Sequence, residues 1–303
     1  MNGALAVFGN LSIDDLVFVD GSTRWATPGG NAMYAGLGIT VWADQAIIVA
    51  PVGSDYPLDR FKDRVDVSRC PLVPKTLRSW GLYEEDGSRH FIFRNNTREW
   101  KDFCPSPEAA ASGSQVAAHV APMPRVVALS LIAELRKAGT QIIAVDLDER
   151  DLHDTAFEKM AELVQSSDLF LPSRQEARAI FPGAEPVEAL RRLRALGPDV
   201  ALIAIKCGAD GVIGHAAGSS KFIQVPAVPV ELVDATGGGD SFCGGVLAGF
   251  TQTKDVVEAL LCGVVSASFC VEGLGLECLV AATKGEALSR LSVVRERVTF
   301  HPM

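Results

Sequence analysis

Residues 234–240 read Asp-Ala-Thr-Gly-Gly-Gly-Asp, and a helix-like run of apolar residues and glycines follows them. Three glycines therefore lead into the first turn of a predicted helix, and a carboxylate stands in that turn. The start of a helix offers unpaired N–H groups and the positive end of its dipole, so it attracts anions. Glycine lets those groups approach a phosphate closely. An aspartate would repel the phosphate, so its presence indicates a chemical role, namely accepting a proton from a hydroxyl that attacks the phosphate.

Other interpretations fit the same residues. A glycine run is often only a tight turn before a helix, and an aspartate at a helix start is often only a cap. Ser241 would be a nucleophile in Gly-Asp-Ser-Phe-Cys, although Cys243 stands where the nucleophile elbow needs a glycine. A Walker-type phosphate loop is excluded because no Gly-Lys-Ser/Thr occurs, and the three-glycine spacing does not fit the dinucleotide fingerprint.

Composition narrows the function classes. A formal charge of −9 argues against binding to nucleic acid or to an anionic membrane, both of which need a basic surface. Hydrophobic residues at 48% and charged residues at 21% are ordinary for a soluble enzyme. The sequence shows no signal peptide and no apolar run that could span a bilayer, so a cytoplasmic location is expected. The seven cysteines and five histidines lack zinc-ligand spacing.

Short apolar runs alternate with helical patterns almost throughout the chain. The predicted buried strands are 4–8, 46–50, 116–120, 141–145, 168–171 and 200–205. The predicted helices are 31–43, 126–138, 154–165, 174–181, 186–196, 240–251, 255–271 and 283–295. This alternation predicts a mainly parallel sheet covered on both faces, in which ligands lie at the carboxyl ends of the strands.

Two segments, 13–28 and about 76–98, break this alternation. Residues 76–83 and 89–94 are strand-like and flank the turn-rich segment 84–88, which predicts a hairpin. Residues 13–28 are also strand-like. Together they predict a small β-structure that stands off the main sheet as a lid, with an ordinary edge hairpin as the alternative. We expect residues 1–303 to form one domain that carries this lid.

The order of motifs resembles the ribokinase-like family, also called PfkB, of sugar and nucleoside kinases. The segments that carry the resemblance are 9–14, 29–31, 173–176, 206–211 and 234–240. The last is similar to the family's Asp-Thr-x-Gly-Ala-Gly-Asp. The resemblance implies a three-layer α/β/α sandwich with a mainly parallel sheet and a small β lid. It also implies an ATP-dependent transfer of the γ-phosphoryl group to a hydroxyl of a sugar or sugar-like substrate.

The resemblance assigns site residues by position. Asp240 would be the general base, and the amides of Gly237, Gly238 and Gly239 would form an anion hole. The residues implied for substrate binding are Asp14, Gly29, Gly30 and Asn31. The residues implied for nucleotide binding are Lys206, Gly208, Gly211 and Thr236. Two alternatives stay open: Lys206 points either to phosphate or to solvent, and the two glycines alone would indicate only a hairpin turn.

Metal ions follow from the implied ATP chemistry. Mg²⁺ is expected to offset phosphate charge, held mainly by phosphates and water. Glu176 is the candidate that would bind Mg²⁺ through a water molecule. The alternative is that Glu176 is only a solvated helix residue. Some members of the family also use a monovalent cation. Asp234 and Thr236 match that loop, as does the segment 273–275, so potassium activation is a further hypothesis.

Several residues depart from the family pattern or bear on the substrate. Ser173 replaces the asparagine of Asn-x-x-Glu. This change either weakens the network that binds metal and phosphate or leaves water to make the contacts of the asparagine. Ala235 and Gly238 replace the usual Thr and Ala. Tyr34 stands where ribokinases often carry Asn, so it either stacks on a sugar or base or packs the helix. Arg94 on the lid would favour an acidic substrate if it faces inward, and is otherwise a surface residue.

A sugar kinase is the leading hypothesis for the function. A nucleoside kinase of the same family is the alternative, and a catalytically silent sugar-binding sensor is another, with Ser173 as its first sign. A homodimer through the lid is a further hypothesis.

Overall fold

The structure is a computed structural model that describes residues 3–94, 100–111, 113–148, 152 and 157–303. Positions 95–98 of the predicted lid segment and 154–156 of a predicted helix lie outside the described residues. The strands in chain order are β1 (Ala4–Phe8), β2 (Ser12–Val17), β3 (Thr23–Gly29), β4 (Ala46–Val49), β5 (Val65–Asp66), β6 (Leu77–Tyr83), β7 (Arg89–Phe93), β8 (Gln115–Val120), β9 (Ile142–Val145), β10 (Leu169–Phe170), β11 (Leu202–Lys206), β12 (Val212–Ala216), β13 (Lys221–Val225) and β14 (Thr299–Pro302). The α-helices are α1 (Asn31–Thr40), α2 (Glu108–Ala111), α3 (Arg125–Lys137), α4 (Phe157–Ser166), α5 (Arg174–Ile180), α6 (Pro186–Leu196), α7 (Gly238–Thr253), α8 (Val256–Val271), α9 (Glu277–Ala281) and α10 (Lys284–Arg295).

The main sheet has ten strands in the order β14-β13-β12-β11-β10-β9-β8-β1-β4-β5. Every pair from β11 to β5 is parallel, whereas β12, β13 and β14 add antiparallel strands at one edge. The predicted mainly parallel sheet is therefore confirmed. The carboxyl ends of β1, β8, β9, β10 and β11 lie at the same edge, as parallel pairing requires.

Two hydrophobic cores lie on opposite faces of this sheet, because successive side chains of a strand point to opposite sides. In β1, Val7 belongs to one core and Phe8 to the other. Helices α1, α7, α8 and α10 contribute to the first core, and α3, α4, α5 and α6 to the second. The three-layer α/β/α arrangement is confirmed. None of the helices in the described residues is long and apolar enough to cross a membrane.

A second sheet of four strands, in the order β3-β2-β6-β7, forms the lid. The β2–β3 and β6–β7 pairs are antiparallel hairpins, and a parallel pairing of β2 with β6 joins them. The predicted strands within 13–28 and 76–94 are thus confirmed, and they form a separate sheet rather than an edge of the main one. Trp25 and Ile92 on this sheet are 60% and 52% exposed.

Candidate active site

The glycine loop before α7 has a backbone shape that depends on Gly237. This residue caps the helix with φ +76°, in the left-handed region. A Cβ there would lie 2.2–2.4 Å from ring carbons of Tyr34, so a side chain would be both strained and blocked. The N–H of Gly238 donates to the carbonyl of Ala235 at 3.2 Å. The loop therefore lies directly against the Tyr34 ring on α1.

Asp240 lies in the first turn of α7, where its side chain is half-buried. Its carboxylate has no hydrogen-bond partner among the described residues, and the same holds for the N–H groups of Gly239 and Asp240. Burial raises the pKa of Asp240 to about 8, and the negative charges of Asp146 and Glu176 act in the same direction. Lys206 opposes them. An open proton acceptor therefore lies beside free helix N–H groups. The anion hole predicted from Gly237, Gly238 and Gly239 is corrected at Gly238, because its N–H is engaged by the Ala235 carbonyl, and the N–H of Asp240 is free instead.

A polar cluster lies beneath this turn, and it centres on a residue that sequence reasoning missed. Asp146 follows β9 and forms an ion pair with Lys206 at the end of β11. The Cys243 sulfur lies 3.5 Å from the Asp146 carboxylate and 3.7 Å from the Lys206 nitrogen. Burial opposes the charge of Lys206, but Asp146, Cys243 and Glu176 keep its pKa above the usual value.

The surroundings of Lys206 bear on its two predicted orientations. Its side chain is only 12% exposed, so it does not extend into solvent. The atom closest to a Cβ built on Gly239 is the Lys206 nitrogen, at 3.6 Å. Lys206 thus lies beside the glycine loop, paired with Asp146. A carboxylate directly after the predicted strand 141–145 was the available signal for Asp146, because strand ends in a parallel sheet converge.

Ser173, the residue that departs from the family pattern, is the N-cap of helix α5. The Ser173 hydroxyl accepts a hydrogen bond from the Glu176 N–H at 3.2 Å, and the Glu176 carboxylate accepts one from the Ser173 N–H at 2.6 Å. This is a capping box. Burial, and then the negative charge of Asp146, raise the pKa of Glu176. Glu176 is therefore a partly buried carboxylate near Asp146, and its action on a metal through water stays a prediction.

Asp14 lies on β2, on the lid side of the site, and is buried. The hydroxyls of Ser12, at 3.1 Å, and of Ser79 donate to its carboxylate. Burial raises its pKa to about 6, and these hydrogen bonds oppose the rise. A Cβ on Gly29 would lie 2.7 Å from Asp14 Oδ2 and 3.7 Å from the Tyr34 ring. Because Tyr34 also contacts Gly237, its ring lies between the Asp14 side and the glycine loop.

Asn31 is the first residue of α1, and its side chain connects two strand ends. Its Oδ1 accepts the Asn10 N–H at 2.8 Å, and its Nδ2 donates to the Pro122 carbonyl at 2.8 Å. Gly30 before it has φ +103°, and a Cβ there would overlap the Asn10 carbonyl. The oxygen and the nitrogen of the Asn31 side-chain amide both bond to backbone, so its contact with substrate stays a prediction.

The remaining predicted residues lie in turns or on the lid. Gly208 and Gly211 form the turn between β11 and β12, with the Cys207 N–H donating to the Gly211 carbonyl at 2.8 Å. This turn follows Lys206 directly, at the carboxyl end of β11. Arg94 pairs with Asp15 and lies 4.3 Å from the centroid of the Trp80 ring, so it is engaged within the lid sheet. Its role toward an acidic substrate stays a prediction.

The burial of Ser241 contradicts its interpretation as a nucleophile. It is 0% exposed, and its hydroxyl donates to the Gly237 carbonyl at 2.8 Å within the helix. No substrate carbonyl can reach that oxygen without the first turn of α7 opening. The hydrolase interpretation is therefore wrong.

Asp234 and Thr236, at the start of the glycine loop, contact two lid residues. The Tyr83 hydroxyl donates to Asp234 Oδ2 at 2.8 Å. Arg89 Nη1 lies 3.3 Å from Asp234 Oδ1 and 3.2 Å from Thr236 Oγ1. Sequence reasoning missed both lid residues, since their contact depends on how the lid sheet lies over the loop.

Comparison with known proteins shows which family this chain resembles. A model of the pfkB family of carbohydrate kinases matches residues 6–279. A cytidine kinase of Thermococcus kodakarensis is 30% identical over 266 residues, which are 86% of this chain and 93% of the relative. A fructokinase of Klebsiella pneumoniae is 29% identical over 299 residues, covering 88% of this chain and 94% of the relative. An E. coli protein solved with ATP and Mg²⁺ has a TM-score of 0.77 at 19% identity, over 96% of this chain and 99% of that one.

Proposed function

The chain belongs to the pfkB family of carbohydrate kinases, and on that premise we propose that it transfers the γ-phosphoryl group of ATP to a sugar hydroxyl with Asp240 as the base. The observation that carries this proposal is the Asp240 carboxylate, half-buried and without a partner among the described residues, beside the free amides of Gly239 and Asp240. A base and an anion site are the two groups that such a transfer needs.

The chemical step uses these groups together. The substrate hydroxyl gives its proton to the Asp240 carboxylate as its oxygen bonds to the γ-phosphorus, and the bond from that phosphorus to the bridging oxygen of ADP breaks. The N–H groups of Gly239 and Asp240 donate to the phosphoryl oxygens, where charge develops. Gly237 and Gly238 shape the loop that aims those groups. Asp14, held by two serine hydroxyls, would accept hydrogen bonds from other hydroxyls of the substrate.

Mg²⁺ fits this site only together with phosphate oxygens. Among the described residues, no group of three or more His, Cys, Asp or Glu side chains could hold a metal ion alone. Burial and the negative charge of Asp146 raise the pKa values of Asp240 and Glu176, so added positive charge would stabilise their ionised forms. Asp146 and Glu176 would hold the ion through water, and it would supply the charge that offsets the phosphates. The E. coli protein of the same fold was solved with ATP and Mg²⁺, which supports this assignment.

A nucleoside is the second candidate substrate. The cytidine kinase that is 30% identical over 86% of this chain favours it. The fructokinase, at 29% over 88%, supports a free sugar. Tyr34 is consistent with either, because an aromatic ring packs against a sugar or a base.

The test is ADP release from Mg-ATP against sugars, sugar acids, polyols and nucleosides. We expect turnover on one class, and an Asp240→Asn variant should lose it by about 10² or more while still binding ATP, because only the base is removed. Ser241→Ala is the matched control on the same helical turn and should retain turnover. Undiminished turnover in Asp240→Asn would contradict the assignment. ATP binding without turnover on any substrate would instead favour the sensor.

A further inference from the structure

The carboxyl group of Asp234 is almost fully buried. Its side chain is 2% exposed, and it begins the loop that leads to Gly237. An ionised carboxylate in such a place is stable only if positive charge or hydrogen-bond donors compensate it. If a side chain of the protein supplies that positive charge, no bound cation is needed beside Asp234.

Both oxygens of this carboxylate have hydrogen-bond donors without an added ion. Asp234 Oδ2 accepts the Tyr83 hydroxyl at 2.8 Å. Asp234 Oδ1 accepts the Thr236 N–H at 2.9 Å and faces Arg89 Nη1 at 3.3 Å. The Arg89 side chain is 27% exposed, so its charge is partly shielded from water and interacts strongly with the buried carboxylate.

A potassium ion does not fit the same residues. A hard cation needs several oxygen atoms directed at it. Here Thr236 Oγ1 faces Arg89 at 3.2 Å, and the Val271 carbonyl accepts the N–H groups of both Val233, at 2.8 Å, and Asp234, at 3.2 Å. The Asp234 carboxylate, the Thr236 hydroxyl and the Val271 carbonyl are therefore already engaged with N–H or O–H groups.

We propose that the guanidinium of Arg89 takes the place of a monovalent cation at Asp234, so that this protein does not need potassium. The kinetic consequence rests on the proposed kinase function, whereas the charge substitution does not. Because Arg89 lies on β7 of the lid, the positive charge reaches the glycine loop only when the lid lies over it. Tyr83 on β6 would act with Arg89 as a positioning residue.

The first experiment is thermal melting of the full chain at constant ionic strength in potassium, sodium or tetramethylammonium chloride. The wild-type melting temperature should be the same in all three salts. Arg89→Met should melt about 5 °C lower or more in tetramethylammonium, because a buried carboxylate loses its partner, and potassium should restore part of the loss. Arg89→Lys, which keeps a positive charge, should stay indifferent to potassium.

Arg24→Met is the matched control, since Arg24 also lies on the lid but pairs with the exposed Glu277. It should show no response to potassium. The proposal is overturned if potassium raises the melting temperature of the wild type as much as it raises that of Arg89→Met. It is also overturned if the melting temperature of Arg89→Met does not respond to potassium at all. If Arg89→Met fails to fold, the wild-type comparison and Arg89→Lys still decide.

The second experiment is turnover in the same salts. We expect equal wild-type rates, and an Arg89→Met rate that is roughly tenfold higher in potassium than in tetramethylammonium. Potassium activation of the wild type by a similar factor would overturn the proposal. A protein with no turnover would refute the proposed kinase function instead, and the melting experiment, which uses no substrate, would still decide the charge substitution.

Discussion

At the scale of single residues, Asp240 is tuned by the charges around it. A buried carboxylate with other carboxylates nearby holds its proton more tightly, because ionisation would place like charges together in a poorly solvated site. The pKa of Asp240 is raised to about 8 by burial and by Asp146 and Glu176, and Lys206 opposes the rise. The Asp240 carboxyl, the proposed base, therefore becomes ionised only as the pH rises through about 8.

This tuning predicts the pH dependence of kcat/KM. A base must be ionised, so kcat/KM should fall about tenfold per pH unit below the pKa and level off above it. Asp146→Asn removes a negative charge and should move this acid limb to lower pH. Lys206→Met removes a positive charge and should move it to higher pH. The measurement is the pH profile of kcat/KM for the three proteins.

The two variants control for each other. Both substitutions will lower the plateau of kcat/KM, but only a charge effect moves the acid limb to lower pH in one variant and to higher pH in the other. Limbs that coincide in all three proteins would mean that Asp240 is not the titrating group.

At the scale of elements, helix α5 depends on the cap at Ser173. Ser173→Ala should destabilise the protein by about 1 kcal/mol, since the Glu176 N–H loses its acceptor. Ser173→Asn should keep the cap, because asparagine is an equally good cap residue. The free energy of unfolding from urea titration measures the difference. Equal losses in both variants would show that the cap is not the source of the stability.

The elements also show which parts of the site a sequence can predict. Gly237 and Asp240 are close in the chain, so their helix-start geometry was predictable from local rules alone. The strands within 4–8, 141–145 and 200–205 were predictable because each is a short buried apolar run. Tyr83 and Arg89 were not, because nothing in a hairpin indicates which distant loop it will contact. Strands β12, β13 and β14 were missed because a glycine or a polar residue, such as Gly214, Gln224 or His301, interrupts each short apolar run.

At the scale of the whole molecule, the lid strand β7 has no buried residue, and the lid is tied to the body by polar contacts. They include the Tyr56 hydroxyl to the Gly29 carbonyl at 2.9 Å and the Arg89–Asp234 pair. Regions with few buried contacts open more easily than a doubly covered sheet. A homodimer through the lid, where Trp25 and Ile92 are exposed, stays a prediction.

Amide hydrogen exchange should therefore differ between the two sheets. We expect the amides of β6 and β7 to exchange faster than those of β8 and β9, and to slow when substrate and Mg-ATP bind, because the lid then rests on ligand as well as on the loop. Exchange measured by mass spectrometry on peptides from each sheet tests this. Equal protection of both sheets, unchanged by ligands, would show that the lid is a rigid part of the body.

The two lid hairpins lie early in the chain, whereas the loop that Arg89 contacts lies near its carboxyl end. A growing polypeptide folds from its amino terminus as the ribosome extends it. The parallel pairing of β2 with β6 can therefore form before Asp234 has been synthesised. During that interval the lid has no partner, and Arg89 remains in water. The newly made loop and α7 would then dock under a lid that already exists, and a chain terminated before residue 234 would carry the lid strands without Asp240.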